Sequence, residues 1–148
     1  MKHLALGFVL LFLASVSTAQ AQTDWRTLLT LSDKKVTAVE GATEIDLSTA
    51  KTLHERGVRF IDVRGKSYWK RWHIPGASDI AYPSEATLME VVDKNEEVVF
   101  YCDCFGSPTC NISPNASARA VVWGYQNVYY LTDADGWSAA GYPIEKPE

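Results

Sequence analysis

The stretch that most restricts the fold is Val98–Ala118, which reads V-V-F-Y-C-D-C-F-G-S-P-T-C-N-I-S-P-N-A-S-A. Val98–Tyr101 reads as a buried strand. Ser113-Pro114 reads as a helix start, with Ser at the N-cap and Pro at the first helical position. All three cysteines, Cys102, Cys104 and Cys110, lie between them. A strand that ends in a thiol and then turns into a helix is one repeating unit of an α/β sheet, and the rest of the chain keeps the same alternation. Asp46 or Ser48 caps a helix that runs through Arg56 and stops at Gly57, with Leu47, Ala50 and Leu53 on one face. Val58–Val63 is a strong strand. Tyr68–Trp72 is a helical turn ended before Pro75, and Ala77–Ile80 is a short strand. Ser84–Val92 is a helix with Leu88, Val91 and Val92 facing in. The helix from Ser113 reaches Trp123, and Gly124 ends it. Val128–Leu131 is the last strand and Trp137–Ala140 the last short helix. Val36–Glu44 reads as a weak strand containing Gly41, and Thr23–Leu31 as a short helix. The expectation is an α/β domain with a mostly parallel central sheet flanked by helices, its sites at the carboxyl ends of the strands. Cys102 stands at one such end; Asp62 and Arg64 stand at another.

The first residues belong to export and not to the fold. Lys2 and His3 precede the apolar run Leu4–Leu13, and small residues lead to Ala19-Gln20-Ala21. That is the pattern of a secretory signal peptide over residues 1–21. The apolar run is short for a membrane span, so no membrane association is expected after cleavage. Removing residues 1–21 from the 148 leaves 127 residues, enough for one domain with a real core. The organisation expected is residues 1–21 as signal, 22–35 as a short helix or linker, and 36–146 as the domain. The whole chain has 14 basic and 18 acidic residues, net −4, and loses only Lys2 at the cut. A mildly acidic chain with no basic patch has no electrostatic footprint for nucleic acid. Export implies a compartment that permits disulfides. Asn111-Ile112-Ser113 and Asn115-Ala116-Ser117 match the N-glycosylation pattern and would place sugars on the Cys loop. This leans toward a bacterial periplasm, where the pattern is not usually read.

Three further signatures occur in a fixed order. F-I-D-V-R, Phe60–Arg64, is followed by H-I-P-G-A, His73–Ala77. The strand ending in Cys102 and its helix come next. W-G-Y-Q-N-V-Y-Y-L, Trp123–Leu131, then leads into G-W-S-A-A-G-Y-P-I, Gly136–Ile144. Each is weak alone, and together they are specific. The chain resembles the rhodanese-like domain family over about residues 36–146. The resemblance implies a three-layer α/β domain and an exported sulfurtransferase that needs no cofactor or metal. It implies that Cys102 carries the transferred sulfur as a persulfide. It implies that a cradle of backbone N–H groups, formed by Asp103, Cys104, Phe105, Gly106, Ser107, Pro108, Thr109, Cys110, Asn111 and Ile112, faces a small sulfur-containing anion. Asp62, Arg64, His73, Pro75 and Gly76 are implied mainly to build the fold around that cradle. The acceptor would be cyanide or a thiol, and a periplasmic partner protein is a further candidate. The chain departs from the family in its loop. In most members the loop is about half as long and often carries an Arg before the helix. Here Cys102–Ala118 has no Lys or Arg, and the first basic residue is Arg119. Relatives with similar W-G-x-x-x-V-Y-Y and A-G-Y-P endings hold a second loop Cys at the place of Cys110; Cys104 is a further addition. Trp72 stands where the family's motif usually has Gly.

The nucleophile would be the thiolate. Helix-terminal and loop N–H groups are expected to lower the Cys102 pKa, helped by any of Arg64, Lys66, Lys70 or Arg71 that reaches in. An inert buried cysteine is the plainer alternative for Cys102. The other thiols leave two readings open. Cys104 and Cys110 could form a disulfide that pins the loop, or Cys102 and Cys110 could act as attacking and resolving thiols in redox or sulfur-carrier chemistry. A third function is a non-catalytic binding module. A soft metal ion fits the ligand set poorly, since the loop has no His and no zinc spacing. A phosphatase of the same fold would need Cys-x5-Arg to clamp phosphate; Pro108 occupies that place. His73 is expected to be a structural hydrogen-bonder and His54 a solvated helix residue. Tyr68, Trp69, Trp72 and Tyr82 are expected in the core or as a pocket wall.

Overall fold

The computed structural model describes residues 38–103 and 111–147. The signal segment, the 23–31 helix and loop residues 104–110 lie outside the described residues. Five strands form one sheet: β1 (Ala42–Glu44), β2 (Arg59–Asp62), β3 (Ser78–Asp79), β4 (Glu97–Tyr101) and β5 (Asn127–Leu131). Their order is β1-β5-β4-β2-β3. Every pairing is parallel, so the sheet is more regular than the mostly parallel one expected. Five helices alternate with the strands: α1 (Leu47–Glu55), α2 (Lys66–Trp69), α3 (Glu85–Met89), α4 (Ile112–Val122) and α5 (Ala134–Ala139). No helix among the described residues is long and apolar enough to cross a membrane.

The strands are apolar on both faces because helices cover both. On one face Ile61, Val98, Phe100 and Val128 pack with Leu88 of α3 and with Ala116 and Ala120 of α4. On the other, Phe60, Val99, Tyr101 and Leu131 pack with Ala50 and Leu53 of α1 and with Trp137 of α5. Fully burying a large apolar side chain of this kind contributes about 1.5–3 kcal/mol. Val91, expected inward, is only half-buried.

Capping chemistry sets most helix ends. Asp46, not Ser48, caps α1 by accepting from Thr49 N–H at 2.7 Å, and Ser48 donates to the same carboxylate. Ser84 and Thr87 form a reciprocal capping box at α3. Gly57 and Gly124, at φ +79° and +92°, close α1 and α4 with the paired bonds of a Schellman motif. Gly41 falls in the turn before β1 and not inside the strand.

The main boundary difference is α4. It begins at Ile112 with Asn111 as N-cap, so Ser113 and Pro114 sit inside its first turn. Proline is tolerated there because the first N–H groups have no intrahelical acceptor. Asn111 and Ile112 therefore form the helix start. Asn111 is buried and Asn115 is half-buried within α4.

A candidate active site at the carboxyl end of strand β4

In a parallel sheet, β4 ends level with its neighbours: Tyr101 pairs with Asp62 of β2 and with Leu131 of β5. The next residue is Cys102. Its N–H donates to Leu131 O at 3.1 Å and its carbonyl accepts Ala134 N–H at 3.1 Å. These two bonds extend the ladder by one residue and hold the thiol against the first turn of α4. Cys102 is fully buried. Its Sγ lies 3.1 Å from Ser113 Oγ, and the Ser113 hydroxyl donates to Leu131 O at 3.0 Å.

The thiol pKa is raised above its ordinary value, against the expected lowering. Burial is the largest cause, because it penalises the thiolate. The Ser113 hydroxyl and backbone N–H work against it, as does the more distant charge of Arg64, while Asp103 pushes the thiol further up. The helix terminus therefore acts in the anticipated direction and is outweighed by loss of solvent.

Asp62, Arg64 and Tyr101 form a second buried group. Arg64 Nε donates to both Asp62 carboxylate oxygens at 3.0 and 3.1 Å, and Nη2 donates to Asp62 Oδ2 at 2.7 Å and to Trp72 O at 2.7 Å. The Arg64 guanidinium lies over the Trp72 ring at 4.2 Å and the Tyr101 ring at 5.2 Å. Tyr101 OH donates to Asp62 Oδ2 at 2.9 Å and accepts Ile74 N–H at 3.2 Å. Burial and the Asp62 charge push the Tyr101 phenol well above its usual range. This arrangement neutralises Arg64 in place. Its bonds tie together the end of β2, the end of β4 and the His73–Ala77 turn.

His73 is buried and stacks on Trp69 at 3.5 Å, with Nδ1 3.3 Å from Trp69 O. Its backbone exchanges two bonds with Glu145, and its Nε2 lies 3.4 Å from the Glu145 carboxylate. It ties the C-terminal segment to the turn. His54 is not solvated as expected: its Nε2 lies 2.9 Å from Pro75 O and its ring meets Phe60 and Trp137 edge-on. Tyr82 is not a core residue, being 87% exposed. Tyr68, Trp69 and Trp72 are half-buried. Lys66, Lys70 and Arg71 are exposed, and Arg71 lies 4.6 Å over the Tyr68 ring.

The structure also brings Asp133 and Asp135, which the sequence did not single out, to Asp103. Asp103 is buried and makes an isolated antiparallel bridge to Asp133, the N-cap of α5. The Asp135 carboxyl hydrogen-bonds to Asp103. That contact, together with burial and the Asp103 charge, lifts Asp135 to about 6, against the pull of Arg64. The signal for these residues was their place: Asp133 and Asp135 follow the strand beside β4 at the same carboxyl end. Of the expected cradle, Asp103, Asn111 and Ile112 are described, while Cys104, Phe105, Gly106, Ser107, Pro108, Thr109 and Cys110, with the Cys104–Cys110 pairing, lie outside the described residues. No group of three or more His, Cys, Asp or Glu suited to a metal ion occurs among the described residues.

Comparison with known proteins agrees with this fold. A model of the rhodanese-like domain matches residues 47–140. A Bacillus halodurans protein of known structure is 21% identical, with 82% of each chain covered and a TM-score of 0.59. A structure from an Anabaena sp. protein is 25% identical over 69% of this chain and 91% of its own, with a TM-score of 0.54. A 30 kDa polysulfide-sulfur transferase homodimer from Wolinella succinogenes shares the fold at 16% identity, with 83% and 87% covered and a TM-score of 0.51. The match over residues 47–140, on a parallel sheet whose central strand ends in Cys102, means that this chain belongs to the rhodanese-like domain family.

Proposed function

We propose that the protein is a sulfurtransferase, exported to the periplasm, that moves sulfane sulfur from a thiosulfate-like donor to cyanide or a thiol through a Cys102 persulfide. The observation that carries this reading is the placement of Cys102 Sγ 3.1 Å from Ser113 Oγ, at the first turn of α4 and the carboxyl end of β4. The kinship with a fold that includes a polysulfide-sulfur transferase supports it, and the N-terminal signal pattern supports the location.

The hydrogen-bond arrangement suits a group that must carry charge in turn. With Cys102 as a thiol, its S–H donates to Ser113 Oγ while the Ser113 hydroxyl donates to Leu131 O. On ionisation the hydroxyl turns its single proton to the thiolate. Leu131 O is not left bare, because it keeps the Cys102 N–H. The thiolate attacks the outer sulfur of the donor, the donor's S–S bond breaks, and sulfite leaves with the electron pair. Cys102 is then a persulfide, Cys–S–S⁻. Cyanide takes the terminal sulfur as thiocyanate and restores the thiolate.

The full burial of Cys102 favours a second reading, a rhodanese-like binding module without turnover. Thiocyanate release from thiosulfate and cyanide separates the two. Activity lost on Cys102→Ser is the expected result. Full activity in Cys102→Ser, or none in the native protein with any sulfane donor, contradicts the proposal.

A further inference from the structure

The C-terminal segment is held to the domain at two places. Near α5, Tyr142 N–H donates to Trp137 O at 3.2 Å, and the Trp137 indole N–H donates to Pro143 O at 2.8 Å. Neither donor nor acceptor of these bonds titrates. Further on, His73 and Glu145 exchange two backbone bonds of 2.8 Å, and their side chains also meet. The buried His73 ring has Nδ1 3.3 Å from Trp69 O and Nε2 3.4 Å from the Glu145 carboxylate. A backbone carbonyl and an ionised carboxylate only accept. A neutral imidazole has one N–H, so it serves one of them and turns a bare lone pair to the other. The imidazolium donates to both. The ring also lies flat on the Trp69 indole, with 3.5 Å between centroids and 7° between planes, where the negative face of the indole favours a cation. Three contacts around one ring thus prefer the same charge state, and histidine is the side chain that changes charge between pH 5 and 8.

We propose that Trp69, His73 and Glu145 form an acid-strengthened clasp that fastens the C-terminal segment to the His73–Ala77 turn. Protonation adds a donor at the ring nitrogen that lacked one and places an ion pair between the turn and the segment. Loss of that proton leaves one acceptor facing a lone pair. The other charged or titratable groups on the surrounding elements are Lys66, Lys70 and Arg71 on and after α2, Asp62, Arg64 and Tyr101 at the strand ends, His54 at Pro75, and Lys146 beside Glu145. Asp62 takes bonds from both Arg64 and Tyr101. Among the described residues, Glu145 alone forms an ion pair with the His73 ring. His54, the other histidine of the domain, touches the same turn through its 2.9 Å contact with Pro75 O, so a pH effect has to be separated from it. No residue of the sulfur-transfer step takes part, and the clasp stands or falls apart from that reading.

The test is amide hydrogen exchange on the full protein at pH 5.5 and pH 8, each rate corrected for the intrinsic exchange of the free amide. The readout is protection of the Glu145 N–H, which donates to His73 O, relative to the Tyr142 N–H, which donates to Trp137 O. Relative protection is expected to be about two- to fivefold higher at pH 5.5, the range of a partly exposed ion pair. Glu145→Gln keeps an acceptor and removes the charge at an exposed position. It is expected to abolish most of that rise, whereas an effect of pH through His54 would persist in it. Relative protection equal at the two pH values in the native protein overturns the proposal, and so does a rise that survives Glu145→Gln undiminished.

Discussion

Tyr101 and Cys102 are neighbours in the chain, point to opposite faces of the sheet, and end in polar groups of opposite character. Tyr101 joins a closed group in which Asp62, Arg64, Trp72 O and Ile74 N–H meet each other's bonding capacity, with opposite charges paired at 2.7 Å. Cys102 joins a group built on one shared hydroxyl proton, with its thiol held above its ordinary pKa. Both are buried at the same end of the same strand. The difference shows that burial alone does not mark a reactive position. Buried polar groups that are fully satisfied specify geometry, whereas a buried thiol that shares a movable proton is poised to change state.

The largest effect expected from this contrast is on stability at the closed group. Arg64→Ala leaves the buried Asp62 carboxylate without its opposite charge and should cost about 3–5 kcal/mol. Pairing Arg64→Met with Asp62→Leu should recover much of that loss, since no charge is then stranded. Urea titration measures both, and equal losses in the single and double variants would break the distinction. Tyr101→Phe removes a donor to Asp62 and the acceptor of Ile74 N–H and should cost about 1–3 kcal/mol.

Alkaline pH sharpens the same point. The folded-state pKa values of Tyr101 and Cys102 are both raised, so the folded protein holds their protons after the unfolded chain has begun to lose them. Stability is therefore expected to fall as pH rises above about 9 for the thiol and about 10 for the phenol. Chemical denaturation at pH 8 and pH 11 reads this directly, and a pH-independent midpoint would contradict it.

The smallest stability effect, and the most local one, is expected at Ser113. Ser113→Ala should cost about 1 kcal/mol of stability. Its signature is chemical: because the hydroxyl and backbone N–H of Ser113 favour the thiolate, losing the hydroxyl should raise the Cys102 titration midpoint further. The pH profile of Cys102 alkylation reports it. An unshifted profile would reduce Ser113 to a packing residue.

The fold was legible in the sequence wherever one local rule decided an element. Apolar β-branched runs gave β2, β4 and β5, and Asp46, Ser84, Gly57 and Gly124 marked helix ends through their own backbone chemistry. Cys102 was legible by its place after a strand. Reading failed where a residue had two uses. Ser113 looks like an N-cap by type, yet its hydroxyl is turned to Leu131 O and the thiol, so α4 starts earlier at Asn111. His54 lies on a helix and reads as solvated, but Pro75 O and two aromatic rings from distant elements enclose it. Asp103 and Asp135 are far apart in sequence, and only the β4–β5 pairing brings them together. The net pKa of Cys102 was illegible for the same reason: the helix terminus is a local feature, while the burial that outweighs it comes from the whole fold.

The most direct test of the central claim is the intact mass of the native protein after brief exposure to a sulfane donor, followed by peptide mapping. The account predicts a gain of one sulfur atom on Cys102, removed by cyanide and absent in Cys102→Ser. Sulfur found only on Cys104 or Cys110, or no added mass with any donor, would contradict it.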